Sequence, residues 1–287
     1  MDKRKILIQL DCDAQPSAFD RVVAIDAGAD ELFSYGGVKP EHVQAIVHGA
    51  IFTRGPKDIK RTALFIGGSD VAAAEKLLAE ALKHMLPKYG LRVSVLLDAN
   101  GANTTAAAAV RAAAKHLTLS GCHALVLGGT GPVGQRVARL LAGEGAAVRV
   151  GSRQQARSAA VCEAIRLRLP KAHLEAVATG TPDELAKAVP DQALIVAAGA
   201  AGAVLLPRSA RPACNALKVA IDLNAVPPLG IEGVEIGEAG VEHDGILCYG
   251  AIGVGATKMK LHRAAVARLF ESNDQVLDAE EVFALPV

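Results

Sequence analysis

The residue pattern with the clearest chemical meaning is Gly129-Thr130-Gly131-Pro132-Val133-Gly134, which has G-x-G-x-x-G spacing and follows the apolar run Ala124 to Leu127. An amphipathic stretch follows it. Between a strand and a helix the glycines have mechanical roles: Gly129 makes the tight turn, Gly131 lets the backbone approach a pyrophosphate, and Gly134 lets the helix pack on the strand. The helix start adds N–H groups and a positive dipole end, so Thr130, Pro132 and Val133 line a dinucleotide cradle. NAD-binding versions of this motif place an acid for the ribose hydroxyls about 20 residues on. Here that place reads Val150-Gly151-Ser152-Arg153. No carboxylate repels a 2′-phosphate there, Ser152 can donate a hydrogen bond, and Arg153 can form a charge-assisted fork. Arg157, one turn further, adds to the clamp. The expected cofactor is NADP, with Ala198 at a strand end and Asn224 after the strand Val219 to Leu223 completing its binding set.

The other candidates are less determined by spacing. Lys258 and His262 are four residues apart and share a helix face, while Lys260 and Arg263 do not coincide with it. By spacing alone a solvent-exposed basic stripe is favoured over a face turned toward a ligand. Asn103-Thr104-Thr105 opens a helical stretch and reads as first-turn capping, with a ligand role for Thr105 the sharper alternative. Phe19, just after a strand end, reads as core, the alternative being a stack on a flat ring. Asp98 and Asp222 stand at strand ends, where turn or cap roles are usual, and their roles stay open. Ile66-Gly67-Gly68-Ser69-Asp70 reads as a plain tight turn. There is no H-E-x-x-H, no clustered Cys and His, no P-loop lysine and no G-x-S-x-G elbow, so neither a metal nor a nucleoside triphosphate is indicated.

These residues need a frame. Apolar runs of four to seven residues alternate with helical patterns throughout, the signature of β-α-β units around parallel sheets. The expected fold is α/β with two domains, a Rossmann-type doubly wound parallel sheet domain and an α/β substrate domain, joined by two long hinge helices. In the first part strands are expected at Lys5 to Asp11, Glu31 to Tyr35, Thr62 to Ile66 and Arg92 to Asp98. Helices are expected at Ser17 to Ala27, Pro40 to Phe52 and Val71 to Met85, the last capped by Asp70. The second part carries strands near Ala124 to Leu127, Ala147 to Gly151, Leu174 to Ala178, Ala193 to Ala198, Val219 to Leu223 and Ile246 to Tyr249. The alanine-rich stretch from Asn103 to Lys115 forms one hinge helix. Gly250 to Gly255 reads as a flexible glycine run before the second, Lys258 to Glu271. Residues 1–115 with 257–287 would then form the substrate domain and 116–256 the NADP domain, with a ligand cleft between them at the carboxyl ends of both sheets.

Composition narrows the partner. A length of 287 residues suits two cores. The formal net charge is +1 with acids and bases interspersed, and aromatics make up 3%, so neither a basic footprint nor a stacking platform for nucleic acid is present. No apolar segment is long enough to span a membrane. Met1-Asp2-Lys3-Arg4-Lys5 is followed only by the short run Ile6 to Leu10, too short for the core of a signal peptide. The five cysteines form no C-x-x-C pair and read as reduced thiols of a cytoplasmic protein. A small-molecule partner is expected.

Three strings then carry a resemblance over nearly the whole chain: Gly129 to Gly134, Asp222-Leu223-Asn224-Ala225-Val226-Pro227-Pro228-Leu229-Gly230-Ile231, and Lys258-Met259-Lys260-Leu261-His262-Arg263-Ala264. Gln9 to Asp30, Thr53-Arg54-Gly55, Asn103-Thr104-Thr105 and Leu269 to Ser272 match as well. Together they resemble the NADP-dependent methylene-tetrahydromethanopterin dehydrogenases of one-carbon-metabolising bacteria, related in fold to methylene-tetrahydrofolate dehydrogenases. The chain departs from the family at Gly37, Lys57 to Arg61 and Lys83 to Gly90. The resemblance implies a pterin substrate, tetrahydromethanopterin or tetrahydrofolate, a homo-oligomer, and pterin-site roles for Phe19, Thr105, Lys258 and His262. It thereby reverses what spacing alone favours at those positions.

The implied chemistry suits so sparse a set. Removing hydride from a methylene carbon between two nitrogens leaves a cation delocalised over N–C–N, so no proton is abstracted and no strong base is required. Positioning and water exclusion should dominate. A charged Lys258 aimed at that cation would oppose its formation, so Lys258 is expected either neutral or on a polar edge of the pterin. The competing expectations are another NADP-dependent two-domain oxidoreductase of shikimate-dehydrogenase type, which would need an acid–base group, and a non-catalytic NADP-binding regulatory protein.

Overall fold

The computed structural model describes residues 3–287, so Met1 and Asp2 of the N-terminal run lie outside the described residues. The chain divides into two compact units, Met1–Thr104 with Met259–Val287, and Thr105–Lys258.

The first unit contains β1 (Ile6–Asp11), α1 (Ala18–Asp26), β2 (Glu31–Tyr35), α2 (Pro40–Phe52), β3 (Thr62–Gly67), α3 (Val71–Lys83) and β4 (Ser94–Leu97), followed by α4 (Ala102–Ala114), which runs on into the second. Its sheet has the order β12-β4-β3-β1-β2, in which β12 is a two-residue strand, Val276–Leu277, near the C-terminus. Every pairing in it is parallel. The central strands are largely apolar, as a parallel sheet covered on both faces requires, and all six residues of β3 and all four of β4 are buried. Ser17 caps α1 by accepting from the Asp20 N–H at 3.2 Å, and Asp70 caps α3 by accepting from Ala73 N–H at 3.0 Å. Between β3 and α3 the tight turn is real, with Gly68 at φ +107°, where a Cβ would sit 2.2 Å from the Cys12 sulfur.

The second unit holds β5 (His123–Leu127), α5 (Pro132–Gly143), β6 (Ala147–Ser152), α6 (Gln155–Arg168), β7 (Leu174–Ala178), α7 (Pro182–Ala188), β8 (Leu194–Ala197), β9 (Val219–Asp222), β10 (Ala239–His243), β11 (Ile246–Tyr249) and the first turns of α8 (Ala251–Arg268). The order β10-β11-β9-β8-β5-β6-β7 is parallel except for β10, which pairs antiparallel with β11. The chain ends on α9 (Ala279–Ala284) in the first unit. This is an α/β fold of Rossmann type.

Two local expectations are corrected. Gly250 to Gly255 is not a flexible run, because α8 already begins at Ala251. The glycines serve close packing: a Cβ on Gly250 would lie 2.1 Å from the Glu235 carbonyl oxygen, and one on Gly253 only 1.6 Å from that of Glu238. Nor do Asn103-Thr104-Thr105 cap α4, since the helix includes them. The cap is the buried Asp98 carboxylate, which accepts from Asn103 N–H at 2.9 Å, Thr104 N–H at 3.0 Å and the Thr104 hydroxyl at 2.7 Å. Asn103 donates its side-chain amide to Leu97 O at 2.6 Å and to Asp278 at 2.9 Å.

Candidate functional site

In the second unit the glycine turn joins the end of β5 to α5. Its left-handed residue is Gly128 at φ +69°, one position before the expected Gly129. A Cβ on Gly128 would meet Gly199 Cα at 2.5 Å and the Ala198 carbonyl carbon at 2.9 Å, so Ala198 abuts the turn. Gly129 donates its N–H to Gly151 O at 2.9 Å, which ties the turn to the end of β6. At Gly134 a Cβ would lie 2.5 Å from Gly128 O and 2.8 Å from Gly129 Cα, which is the helix-on-strand approach the motif requires. Gly131 is the N-cap of α5 and Pro132 its first residue. Val133 and Gly134 therefore sit in the first turn, whose N–H groups have no intrahelical carbonyl to bond. The Gln135 side chain donates to Thr130 O at 2.8 Å and steadies the loop.

Beside this turn, β6 ends at Ser152, which is buried and accepts from Gln154 N–H at 3.3 Å. Arg153 and Arg157 are exposed. The main chain of Arg153 packs on Gly180, where a Cβ would come within 3.2 Å of Arg153 Cα. Two cationic side chains and a hydroxyl thus stand at one strand end with no carboxylate among positions 150–157.

Asp222, at the end of β9, holds the following loop. Its two oxygens accept from Asn224 N–H at 3.0 Å and Ile231 N–H at 2.8 Å. Burial pushes the Asp222 carboxyl above the ordinary range, against the downward pull of the backbone N–H groups of Asn224, Ile231 and Gly230. Asn224 donates to Pro228 O at 3.3 Å and accepts from Val226 N–H at 3.1 Å. The Asp222 to Ile231 string is thus fixed from within, and the open role of Asp222 resolves to a loop anchor.

In the first unit Phe19 and His262 come together, with ring centroids 6.1 Å apart. His262 is 1% exposed, which overturns the solvent-exposed stripe for this position. The exposed cations of that helix segment are Lys260 and Arg263. The imidazole stacks on Phe65 at 5.7 Å with 18° between planes, and its Nε2 is 3.9 Å from Asp20 Oδ1. Phe19 is 50% exposed, so the core assignment also fails and an aromatic face is left at the start of α1. Asp11, 1% exposed at the end of β1, accepts from Asp13 N–H at 2.9 Å and Ser17 N–H at 3.0 Å. Phe65 and Asp20 escaped the sequence reading. Phe65 is indistinguishable from core in an apolar run, and the only signal for Asp20 was its place next to Phe19.

Thr105 on α4 and Lys258 on α8 are half-buried and fall in the second unit. A separate cleft of about 550 Å³ in the first unit is lined by residues of β1, β2 and α2, among them Phe33 and Tyr35, and by Arg54 just after α2, and contains none of the expected site residues. The five cysteines are free thiols. No helix among the described residues is long and apolar enough to cross a membrane.

Comparison with known proteins places this geometry in a family. The family model described as methylene-tetrahydromethanopterin dehydrogenase, N-terminal, matches residues 18–100. A bifunctional protein MdtA of Methylorubrum extorquens is 44% identical over 284 residues, 98% of this chain and 98% of that one. An NAD(P)-dependent methylenetetrahydromethanopterin dehydrogenase of the same organism is 31% identical over 297 residues, 99% and 98% of the two chains. Among solved structures, the methylenetetrahydrofolate dehydrogenase-cyclohydrolase of Trypanosoma brucei, complexed with NADP and an inhibitor, superposes with a TM-score of 0.50 at 16% identity, covering 94% of this chain and 87% of that one. That likeness speaks to the fold. With both curated relatives matched essentially end to end, this chain belongs to the methylene-tetrahydromethanopterin dehydrogenase family of oxidoreductases.

Proposed function

We propose that the protein transfers a hydride between NADP and methylene-tetrahydromethanopterin, giving the methenyl-pterin, and that methylene-tetrahydrofolate, which presents the same methylene bridge, is a second substrate. The observation that carries this is the coincidence, in one family member, of an intact strand–glycine turn–helix cradle with a Ser152-Arg153 strand end lacking an acid. NADP, when bound, supplies the nicotinamide carbon that accepts the hydride.

The chain's own residues fit that cofactor. Gly134, Gly129 and Gly128 leave no room for side chains, so the backbone of the turn can approach a pyrophosphate at the start of α5. Arg153, Arg157 and Ser152 would hold the 2′-phosphate, while Ala198 and Asn224 would border the nicotinamide half. On the substrate side, Phe19 offers its exposed ring to the pterin, and His262 is held by Phe65 and Asp20 for a contact with it. Thr105 and Lys258 complete the proposed pterin set, Lys258 on a polar edge rather than at the nascent cation. Residues 1–115 with 257–287 would serve the pterin and 116–256 the cofactor.

Hydride loss generates positive charge and releases no proton. The residues' task is therefore to hold the methylene carbon about 3 to 3.5 Å from the nicotinamide and exclude water. Dehydrogenase activity without hydrolysis of the methenyl product is expected in a cytoplasmic homo-oligomer. The test is an absorbance assay of reduced cofactor with purified protein, each methylene-pterin, and NADP or NAD. Formation of NADPH with methylene-tetrahydromethanopterin is the expected result. No reduced cofactor with either pterin would refute the proposal, and rapid enzyme-dependent loss of the methenyl product would refute its dehydrogenase-only form.

A further inference from the structure

We infer that Glu238, His243 and Cys248 form a binding site for a zinc-like divalent transition ion on the β10–β11 hairpin, a part of the second unit that the proposed hydride chemistry does not use. A carboxylate oxygen, a ring nitrogen and a sulfur of these residues lie within 4.8 Å of one another. His243 Nε2 is 2.5 Å from Glu238 Oε1. The hairpin explains the convergence. Val241 pairs with Cys248 and His243 with Ile246, so His243 projects on the same sheet face as Val241 and Cys248. A register shift between Ala239 and Val241 breaks the alternation on the Glu238 side, the usual effect of a bulge that re-aims a side chain. No metal motif was visible in the sequence because the donors meet across two strands rather than at short spacing along one.

The donor set is the mixture of N, S and O that zinc accepts, and three protein ligands leave a fourth position for water. Zinc–ligand lengths of about 2.0 to 2.3 Å put tetrahedral donors roughly 3.3 to 3.7 Å apart, a small adjustment from the distances here. An independent observation points to a cation. Glu238 is 8% exposed, and its Oε2 is buried without a hydrogen-bond partner. A buried carboxylate oxygen lacking a donor is costly, and a coordinated cation removes that cost.

Cys248 is fully buried, and its thiol is pushed up to about 11 by burial first and by the Glu238 charge second, with Arg211 pulling it down. A bound ion would reverse this locally, because a coordinating thiol deprotonates outright. The positive charge already nearby is Arg211, which donates through Nη2 to Glu232 O at 2.8 Å, while its buried Nε has no hydrogen-bond partner. The His243 side chain is 38% exposed, which gives an ion a route in. Glu238 is also a rigid anchor. Its carbonyl accepts from Gly250 N–H at 2.9 Å and packs on Gly253, so an ion held there would pin the first turn of α8 to the hairpin.

Titration of the chelator-treated full-length protein with Co²⁺ tests the site without pterin or nucleotide. One equivalent should bind per chain with a near-ultraviolet thiolate-to-cobalt charge-transfer band, which Zn²⁺ then displaces. Cys248→Ser should abolish the band. His243→Gln, a change at a part-exposed position on an edge strand that circular dichroism can show to be folded, should weaken cobalt binding at least about tenfold. Absence of the band in the unmodified protein would overturn the proposal. So would its persistence in Cys248→Ser, which would assign it to another cysteine, or unchanged affinity in His243→Gln.

Discussion

Replacing Arg153 by alanine should weaken NADP far more than NAD, by an amount the structure bounds. Arg153 is exposed at the tip of β6, so the proposed interaction with a 2′-phosphate would take place close to water. At about 4 Å a unit charge pair is worth about 1 kcal/mol in water and about 4 at a partly desolvated surface. A phosphate monoester carries about −1.5 to −2 charges near neutrality. Side-chain ordering and the neighbouring Arg157, one helical turn away and also exposed, reduce the loss on removing one guanidinium. About 1.5 to 2.5 kcal/mol remains, which is roughly a 10- to 60-fold rise in the NADP dissociation constant, since 1.4 kcal/mol is tenfold. NAD lacks the phosphate and should change less than about twofold. The assay is cofactor titration followed by nicotinamide fluorescence, at low and high salt. The wild-type preference for NADP should shrink as salt screens the exposed pair, and the variant should show little salt dependence. An equal loss for NADP and NAD, or a preference that salt leaves unchanged, would refute the assignment of the 2′-phosphate to this strand end.

Three further outcomes follow from the packing. Asp98→Ala leaves two N–H groups and the Thr104 hydroxyl without their buried acceptor, and should lower unfolding stability by about 3 kcal/mol in a urea titration. Gly253→Ala places a Cβ 1.6 Å from the Glu238 carbonyl oxygen and should cost more than about 3 kcal/mol, whereas Gly255→Ala, with open space around its Cβ, should stabilise α8 by up to about 1 kcal/mol. Comparing the two melting temperatures separates close packing from helix propensity; similar values would show that the glycine run is not a packing device. Phe19→Ala removes a ring that is 50% exposed, so it should alter the melting temperature little yet raise the pterin KM at least about tenfold with the NADP KM unchanged. A change in stability alone, with an unaltered KM, would return Phe19 to the core.

Much of the α/β frame was legible because its signals are local. A parallel strand buried on both faces is a short apolar run, and β7, β11 and α2 match their sequence-derived limits. Ser17 and Asp70 announce helix starts by one side chain each, and the glycine spacing at positions 129, 131 and 134 reports a turn that a Cβ at 129 or 134 would obstruct. What the sequence could not determine depends on residues far apart in the chain. The two-residue strand β12 is too short for any periodicity, and it exists because Val276 and Leu277 find Val95 and Leu96. Gly250 and Gly253 look flexible until the carbonyls of Glu235 and Glu238 are placed against them. The cap of α4 belongs to Asp98, a strand-end residue, because β4 delivers its carboxylate to the first turn of the helix. His262 could not be told from a solvated base by its spacing to Lys258. Its burial was decided by Phe65 on β3 and Asp20 on α1, about 200 and 240 residues earlier in the chain, which only tertiary packing brings to the same imidazole.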